Sequence, residues 1–324
     1  MSRNRLQTAL EEGAFTLPEG KITVFRPDAG YDLTGLDRDS IEIVQTFYPD
    51  AEAFKAAGYT LVETAGPSAV ALVIVPRAKA LARAMVADAC RVADFVIVDG
   101  MKTDGTDSLW RDLRAKIGDI PCITKSHGRL MWFKATDAFA DWAMPAPEKG
   151  AHGFYTQAGV FSDGAVDAGS ELLVASLPTK LPKRIADLGA GWGYLSQAIL
   201  ERAGVTELHL VEAEKLSLDC ARLNVTDERA QFHWADATTF KHDRPLDGIV
   251  MNPPFHVGRA ADPGLGRRFI AAAKALLGRD GELWMVANRH LPYEAALKEN
   301  FRVVQEIGGN GGFKVFYATK PLRG

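Results

Sequence analysis

The stretch IADLGAGWGYLSQAIL, residues 185–200, decides the fold of its half of the chain. An apolar run typical of a buried strand comes first, a helical pattern comes last, and Gly189, Gly191 and Gly193 lie between them. Glycines at the turn from a strand to a helix let the backbone approach a ligand closely, because no side chain stands in the way. A tight turn without a ligand would have a similar sequence. The pattern therefore indicates an α/β fold with a candidate site for a nucleotide-like ligand.

Apolar runs alternate with helical stretches on both sides of this loop. Four strands are predicted at residues 184–188, 207–211, 231–235 and 248–251. Strands that alternate with helices form a parallel, doubly wound sheet, which binds ligands at the carboxyl ends of its strands. Three more strands are predicted at residues 282–287, 301–307 and 313–319. Only GGNGG separates the last two, so they must pair antiparallel. The sequence predicts a Rossmann-like domain with a seven-stranded mixed sheet.

Carboxylates stand at the ends of successive strands of this sheet. Glu212 ends the second strand, about 20 residues after the loop, where it can accept hydrogen bonds from both hydroxyls of a ribose. Asp236 closes the third strand, where it can accept one from an adenine amino group. Asp187, just before the loop, is expected either to hold the turn or to bind the ammonium group of a methionine moiety. A dinucleotide fingerprint needs a third glycine where this chain has Tyr194, so S-adenosylmethionine is favoured over NAD.

The fourth strand leads into Asn252-Pro253-Pro254-Phe255, at the edge where doubly wound folds bind ligands. An exocyclic amino group on a base is a poor nucleophile, because its lone pair is delocalised into the ring. The Asn252 side-chain oxygen and the Pro253 backbone carbonyl can each accept one amino proton, which favours a tetrahedral nitrogen. Prolines hold that carbonyl rigidly and add no donor, and Phe255 can stack on the planar acceptor. The tetrapeptide predicts methyl transfer to a planar amino group, with Asn252 also beside the cofactor. His256 is expected in a turn, outside the catalytic set.

The first half of the chain contains a second α/β layer. Predicted strands and helices alternate there at residues 41–47, 50–57, 70–75, 77–93, 94–98 and 108–117. The run FADWAMPAPEKGAHG, residues 139–153, has two closely spaced prolines and little periodicity, which is typical of a linker. We therefore expect two domains, residues 1–147 and 148–324, with the boundary between residues 145 and 150.

Composition excludes several classes of protein. The chain has 324 residues, of which 47% are hydrophobic and 24% are charged, and its net charge is -3. No apolar run approaches the roughly 20 residues that span a bilayer, and the N-terminal sequence does not resemble a signal peptide, so a cytoplasmic protein without membrane contact is expected. Cys90, Cys122 and Cys220 share no metal-site spacing, so neither a disulfide framework nor a metal site is predicted.

The chain resembles the RsmC and RlmG group of bacterial ribosomal RNA (guanine-N2)-methyltransferases. The resemblance covers nearly everything from about Gly153 and rests on GVFSDGAVDAGSELL (159–173), DLGAGWGYLS (187–196), NPPFHVG (252–258), GELWMVANRHLPY (281–293) and FKVFYA (313–318). It is fainter in the first half, where it rests on ALVIVPRAKA, VDGMKTDG and KSHGRL. It implies a class I methyltransferase domain preceded by a degenerate copy of the same fold, which serves RNA or substrate recognition or a structural role. Residues 41–142 repeat neither the glycine loop nor the Asn-Pro-Pro-Phe tetrapeptide.

By the same resemblance, the substrate is a guanine exocyclic amino group in ribosomal RNA, in 16S RNA or the small subunit as for RsmC. Phe161 and Ser162 are implied in a segment that folds over the cofactor, although a loop anchor is equally compatible with the sequence. Basic candidates for RNA contact lie on two helices: Lys79, Arg83, Arg267, Arg268 and Lys274. Guanine in 23S RNA, adenine N6, a protein glutamine amide and a cofactor-binding ribosome assembly factor with little turnover stay open as alternatives. The oligomeric state is also open, with a monomer as the working assumption.

Overall fold

The computed structural model describes residues 5–160, 165–254, 256–257, 260–261 and 263–323, with the backbone alone from residue 256 to residue 263. The chain divides into two compact units, Met1–Ala146 and Pro147–Gly324. Each unit contains a seven-stranded mixed sheet, and the two sheets have the same strand order. This confirms the predicted fold class, two α/β layers of the Rossmann type. No helix in the described ranges combines the length and the apolar composition that a membrane crossing needs.

The first sheet has the order β3-β2-β1-β4-β5-β7-β6, and β7 alone runs against the others. Its strands are β1 (Ile22–Phe25), β2 (Ile41–Val44), β3 (Thr60–Val62), β4 (Ser68–Ile74), β5 (Ala93–Met101), β6 (Cys122–Lys125) and β7 (Gly128–Lys134). The helices of this unit are α1 (Arg5–Glu11), α2 (Tyr48–Ala56), α3 (Lys79–Val92) and α4 (Thr106–Ile117), with 3-10 turns at Arg38–Ser40, Lys102–Asp104 and Asp137–Trp142.

Four strands of the first sheet were not predicted, namely β1, β3, β6 and β7. The strand β1 has only four residues, all of them buried, so it is too short to show the sustained alternation of apolar and polar residues that marks a half-exposed strand. The β6–β7 hairpin turns at Ser126 and His127, whose φ angles are 50° and 55°. Two-residue hairpin turns of this kind usually carry Asn-Gly or Asp-Gly, so Ser-His gives no turn signal in the sequence.

The second sheet has the order β12-β11-β10-β13-β16-β18-β17. Its strands are β10 (Arg184–Leu188), β11 (Glu207–Glu212), β12 (Ala230–Trp234), β13 (Leu246–Met251), β16 (Leu277–Asn288), β17 (Phe301–Gly309) and β18 (Phe313–Pro321). Two small antiparallel pairs join β8 (Glu148–Lys149) to β9 (Tyr155–Thr156), and β14 (His256–Val257) to β15 (Ala260–Ala261). The helices of this unit are α5 (Ala168–Ser176), α6 (Tyr194–Leu200), α7 (Lys215–Asn224), α8 (Pro263–Leu276) and α9 (Tyr293–Asn300).

Both faces of the second sheet are buried, as expected of strands covered by helices on each side. The strands β10, β11, β12 and β13 pair in parallel, and β17 and β18 pair antiparallel, which confirms the prediction made from GGNGG. The strand ends at Leu188, Glu212, Trp234 and Met251 therefore lie on one edge of the sheet. His256 lies in the two-residue strand β14 rather than in a turn.

Candidate functional site

The glycine loop leaves the end of β10 and enters α6 through three residues with left-handed backbone. The φ angles are 78° at Gly189, 56° at Gly191 and 93° at Gly193, a region that favours glycine. The loop is tied to the neighbouring strand, because the Gly189 N–H donates to the Val211 carbonyl at 2.8 Å. A Cβ at Gly193 would lie 2.9 Å from Cγ2 of Val225, so this position also lacks room for a side chain.

Two carboxylates lie behind the loop. Glu212 accepts hydrogen bonds from the backbone N–H of Gly191 and of Glu214, both at 2.8 Å. Asp187 is fully buried, and its Oδ2 accepts a 2.6 Å hydrogen bond from the Ser196 hydroxyl in α6. Its Oδ1 has no hydrogen-bond partner in the described part of the chain. Burial, which disfavours the charged form, raises the pKa of Asp187 to about 7, and it also raises the pKa of Glu212. Both predicted roles of Asp187, holding the turn and binding a cation, suit this geometry.

Asn252 is held by a helix that the sequence did not connect with it. Its Nδ2 donates to Oδ2 of Asp167 and to Oγ of Ser170, both at 2.8 Å. Asp167 also caps α5, because its Oδ2 accepts from the Ser170 N–H at 2.9 Å. A carboxylate can only accept, so this contact fixes which end of the Asn252 amide is the nitrogen. The other end, Oδ1, is buried and has no partner among the described residues.

A cavity brings several of the predicted residues together. Gly189, Gly191 and Asn252 line it, together with Asp167, Ser170 and Tyr194. The predicted residues Asp187, Gly193, Glu212 and Asp236 are not part of this lining, although Glu212 ends β11 and Asp236 follows β12 at the same edge of the sheet. Oδ1 of Asp236 accepts from the N–H and the hydroxyl of Thr238 at 2.8 and 2.7 Å, so this carboxylate shapes the turn after β12.

The two prolines after Asn252 differ in exposure, and Phe255 lies outside the described residues. Pro253 is buried and Pro254 is exposed. Phe161 and Ser162, which the family resemblance implied near the cofactor, also lie outside the described residues.

The segment that precedes Phe161 packs against the glycine loop. The Phe154 ring lies 4.9 Å from the ring of Trp192 and 5.8 Å from that of Tyr194. Asn224, at the end of α7, holds both segments, since its Nδ2 donates to the Trp192 carbonyl at 2.8 Å and to the Tyr155 carbonyl at 2.9 Å. Asn224 is therefore a residue of the site that the sequence analysis missed.

The corresponding edge of the first sheet is occupied by its own side chains. Asp99, near the end of β5, is 1% exposed. Its Oδ1 accepts from Nε of Arg5 at 2.5 Å, and its Oδ2 accepts from the Tyr31 hydroxyl at 2.8 Å. The strand β1 is followed by Arg26 and Pro27 instead of a glycine loop. The described part of the first unit thus has the same strand order as the second unit but no glycine loop after its first strand.

Comparison with known families identifies the family of this chain. Residues 151–317 match the model of the methyltransferase small domain, and this match covers just over half of the chain. The chain belongs to the methyltransferase small domain family. The glycine loop and Asn252 both lie inside the matched region.

Relatives of this family member carry a common name. The chain is 37% identical over 163 residues to the ribosomal RNA small subunit methyltransferase C of Alteromonas mediterranea, which covers 50% of this chain and 45% of that protein. It is 26% identical over 258 residues to the protein of the same name from Hahella chejuensis, covering 76% and 75%. The chain spans about half the length of the first curated relatives it matches. A solved structure, T. thermophilus 16S rRNA N2 G1207 methyltransferase (RsmC) in complex with AdoMet and guanosine, is similar in fold, with a TM-score of 0.81, 23% identity, and coverage of 97% of this chain and 91% of that one.

The basic residues considered for RNA contact have different surroundings. Lys79 and Arg83 both pair with Asp112, at 2.9 and 3.0 Å, so one carboxylate of the protein offsets part of their positive charge. Arg267 and Arg268 are exposed on α8, whose Phe269 packs beside Gly189. In this methyltransferase small domain protein, α8 therefore carries exposed basic residues next to a residue that packs beside the loop.

Proposed function

We propose that this protein transfers a methyl group from S-adenosylmethionine to the exocyclic N2 amino group of a guanine in 16S ribosomal RNA. One observation carries the chemistry, namely the half-buried Asn252 side chain, whose Nδ2 is fixed by Asp167 and Ser170 and whose buried Oδ1 has no partner in the described chain. A buried polar atom without a hydrogen-bond partner lowers the stability of the folded protein, and a bound ligand that supplies the partner removes this penalty. Family membership and the names of the relatives support the choice of reaction and of RNA.

The residues at the loop suit S-adenosylmethionine. Its sulfonium and ammonium groups are cationic, and two carboxylates lie behind the loop: Glu212, which is half-buried, and Asp187, which is buried and whose Oδ1 lacks a partner in the described ranges. The three glycines give its methionine and ribose portions close access to the backbone. Glu212 has lone pairs left for ribose hydroxyls after its two backbone contacts, and Asp236 stands at the next strand end for the adenine. The cofactor supplies an activated methyl group on sulfur.

The protein's own task is to hold the acceptor amino group. Oδ1 of Asn252 accepts a hydrogen bond from one N2 hydrogen, and the Pro253 carbonyl accepts one from the other, so that the nitrogen lone pair is directed away from the ring. The methylated nitrogen then releases one proton to solvent. Asp167 and Ser170 prevent the Asn252 amide from turning over. A turned amide would face the N2 hydrogens of the base with its own N–H groups, and no hydrogen bond could form. Phe255 supplies the stacking surface for the base. A donor already activated needs no strong general base, and orientation accounts for most of the acceleration.

The first unit and α8 would handle the RNA itself. The first unit serves RNA recognition or support of the second unit, since its sheet edge is filled by Arg5 and Tyr31. Arg267 and Arg268 would bind phosphates near the flipped guanine, which must leave its stack to reach the cavity. A substrate of this kind implies a cytoplasmic protein that meets small ribosomal subunits, whether as naked 16S RNA or assembled.

The proposal is tested with labelled S-adenosylmethionine and small subunits from a strain that lacks the modification. Mapping of the 16S RNA should find label on guanine N2. Label in 23S RNA, on adenine or in protein would contradict the proposed substrate, and binding without any transfer would contradict an enzyme.

Asn252→Ala separates chemistry from cofactor binding. Loss of one preorganised acceptor costs about 3 kcal/mol of transition-state stabilisation, so methylation should fall by roughly 10²–10³-fold. The dissociation constant for S-adenosylmethionine, measured by calorimetry, should change little. Asn310→Ala, in the turn between β17 and β18, is the control and should keep full activity. Equal activity of Asn252→Ala and Asn310→Ala would refute the role of Asn252.

A further inference from the structure

A cluster of three histidines and a glutamate lies in the second unit, apart from the proposed site. His209 in β11 is completely buried. Its Nε2 lies 3.1 Å from Oε1 of Glu207, two residues earlier on the same face of the strand, and its Nδ1 lies 3.0 Å from Nε2 of His233 in β12. His242, from the connection between β12 and β13, covers the cluster with its ring centroid 4.4 Å from that of His209. The methyl-transfer chemistry uses none of these side chains.

Three of these residues can contribute to one metal ion. One ligand atom each from Glu207, His209 and His242 lie within 4.8 Å of one another. Imidazole nitrogen and carboxylate oxygen bind Zn²⁺ at about 2.0–2.2 Å, so ligand atoms of a tetrahedral site lie closer together than this, and modest side-chain rotation closes the difference. Glu207 and His242 are only half-buried and can make that movement.

Hydrogen bonds on the far side of both rings fit metal ligation. Nδ1 of His242 lies 2.7 Å from the Arg244 carbonyl, which can only accept, so Nδ1 carries the proton and Nε2 has a free lone pair. The longer 3.3 Å approach of the Arg244 N–H to Nδ1 does not compete with this contact. His209 has His233 behind its Nδ1 in the same way. Metal-ligating histidines almost always have such a partner on the second nitrogen, which fixes the ring and its tautomer.

We propose that Glu207, His209 and His242 bind a divalent transition-metal ion, with Zn²⁺ as the best match, and that His233 orients His209. In the metal-free protein the single ring proton of His209 lies on Nε2 and is donated to Glu207. When the ion binds Nε2, both rings stay neutral by changing tautomer: the His209 proton lies on Nδ1 and is donated to Nε2 of His233. Three protein ligands leave the fourth position to water, on the side where His242 meets solvent. The ion fastens the connection at residues 235–245 onto the sheet, and this connection contains Asp236. The spacing of the cysteines, from which no metal site is predicted, gives no information on a site made of histidine and glutamate.

The positive charge of Arg244 opposes binding of the ion. Arg244, whose side chain is 62% exposed, lies 3.3 Å from Oε2 of Glu207. An exposed arginine gains little from such a pair and can turn into solvent when a cation takes its place. Removal of this arginine should therefore strengthen metal binding, a result that non-specific binding to surface histidines would not give.

The test is a titration of the chelator-treated full chain with ZnCl2. Calorimetry or competition with a chromophoric chelator should give one Zn²⁺ per chain, and Co²⁺ should develop the visible bands of a four-coordinate site. His242→Ala removes a loop ligand without touching the sheet, and it should weaken binding by more than about tenfold, the loss that even an outer-shell change can cause. His152→Ala, an exposed histidine outside the cluster, is the matched control and should bind as the parent does.

Arg244→Gln should bind Zn²⁺ more tightly than the parent, and Zn²⁺ should raise the Tm of the parent and not that of His242→Ala. Absence of one-to-one binding, or equal affinity of the parent and His242→Ala, would overturn the proposal. Unchanged or weaker binding by Arg244→Gln would remove Glu207 from the ligand set and overturn it as stated. None of these measurements depends on methyl transfer.

Discussion

Replacing Asp187 with asparagine should change the pH dependence of folding stability. The carboxyl group is fully buried, and its pKa rises from 3.8 to about 7 in the folded protein, because burial disfavours the charge and the nearby Glu212 opposes it. A raised folded-state pKa means that the carboxyl's contribution to stability is fully present below pH 4 and is lost as the pH rises through 7. Three pKa units at about 1.4 kcal/mol each give a total loss of roughly 4 kcal/mol.

Asparagine has the same shape and does not titrate, so Asp187→Asn avoids that loss. The Nδ2 of the new asparagine would lie at the position of the unpaired Oδ1 and would be an unsatisfied donor, at a cost of about 1–3 kcal/mol at every pH. This cost lowers the curve of unfolding free energy against pH without changing its slope. About 3 kcal/mol of the total falls between pH 5 and pH 8. The free energy of unfolding of Asp187→Asn, measured with urea in the absence of ligand, should therefore improve by about this amount relative to the parent over that range.

Asp227→Asn is the control for the Asp187 experiment. Hydrogen bonds from Arg229 lower the pKa of Asp227 to about 2, so its titration lies below the range tested and its effect on stability should be constant from pH 5 to pH 8. Parallel stability curves for the parent and Asp187→Asn across this range would show that Asp187 is ionised throughout, and would refute the argument.

Two further substitutions test the site. Asp167→Asn keeps an oxygen at the position that caps α5 and accepts from Nδ2 of Asn252, but it removes the charge that strengthens the contact with Asn252. The loss of about 1 kcal/mol should lower kcat by roughly 3–10-fold while Tm and cofactor affinity stay close to the parent, and an unchanged kcat would contradict positioning by the Asp167 charge. Gly193→Ala combines a φ of 93° with a 2.9 Å contact to Val225 and should lose about 2–3 kcal/mol of stability in urea unfolding. Gly153→Ala has a φ of 79° and open space around it, so it should lose about 1–2 kcal/mol, and an equal loss at both glycines would show that the contact does not matter.

The sequence was most informative where local pattern and burial coincide. The limits of β10 match the prediction because a buried parallel strand is a continuous apolar run and the glycines mark its end. The same reasoning did not find β1, although it is also buried, because a run of only four residues resembles any short core segment. The Ser126-His127 turn shows the complementary limit, since tertiary structure there imposes left-handed backbone on residues that do not favour it.

The site was predicted in part for a similar reason. Asn252 and the glycine loop have distinctive local sequences, and the structure brings them to one cavity. The contact between Asn252 and Asp167 joins residues 85 positions apart, and only the fold brings them together. The sequence at Asp167 signals a helix cap, which gives its local role but not its second partner. The roles assigned to Glu212 and Asp236 in cofactor binding stay predictions.

The Arg5–Asp99–Tyr31 contacts have a consequence for binding stoichiometry. A chain with two sheets of identical strand order has two equivalent edges, and a ligand suited to that architecture would ordinarily find two places to bind. Here one of the two is blocked by an ion pair of the protein itself, so titration with a nucleoside ligand should saturate at one molecule per chain. Duplication of the fold has thus enlarged the protein's surface without doubling its capacity for ligand.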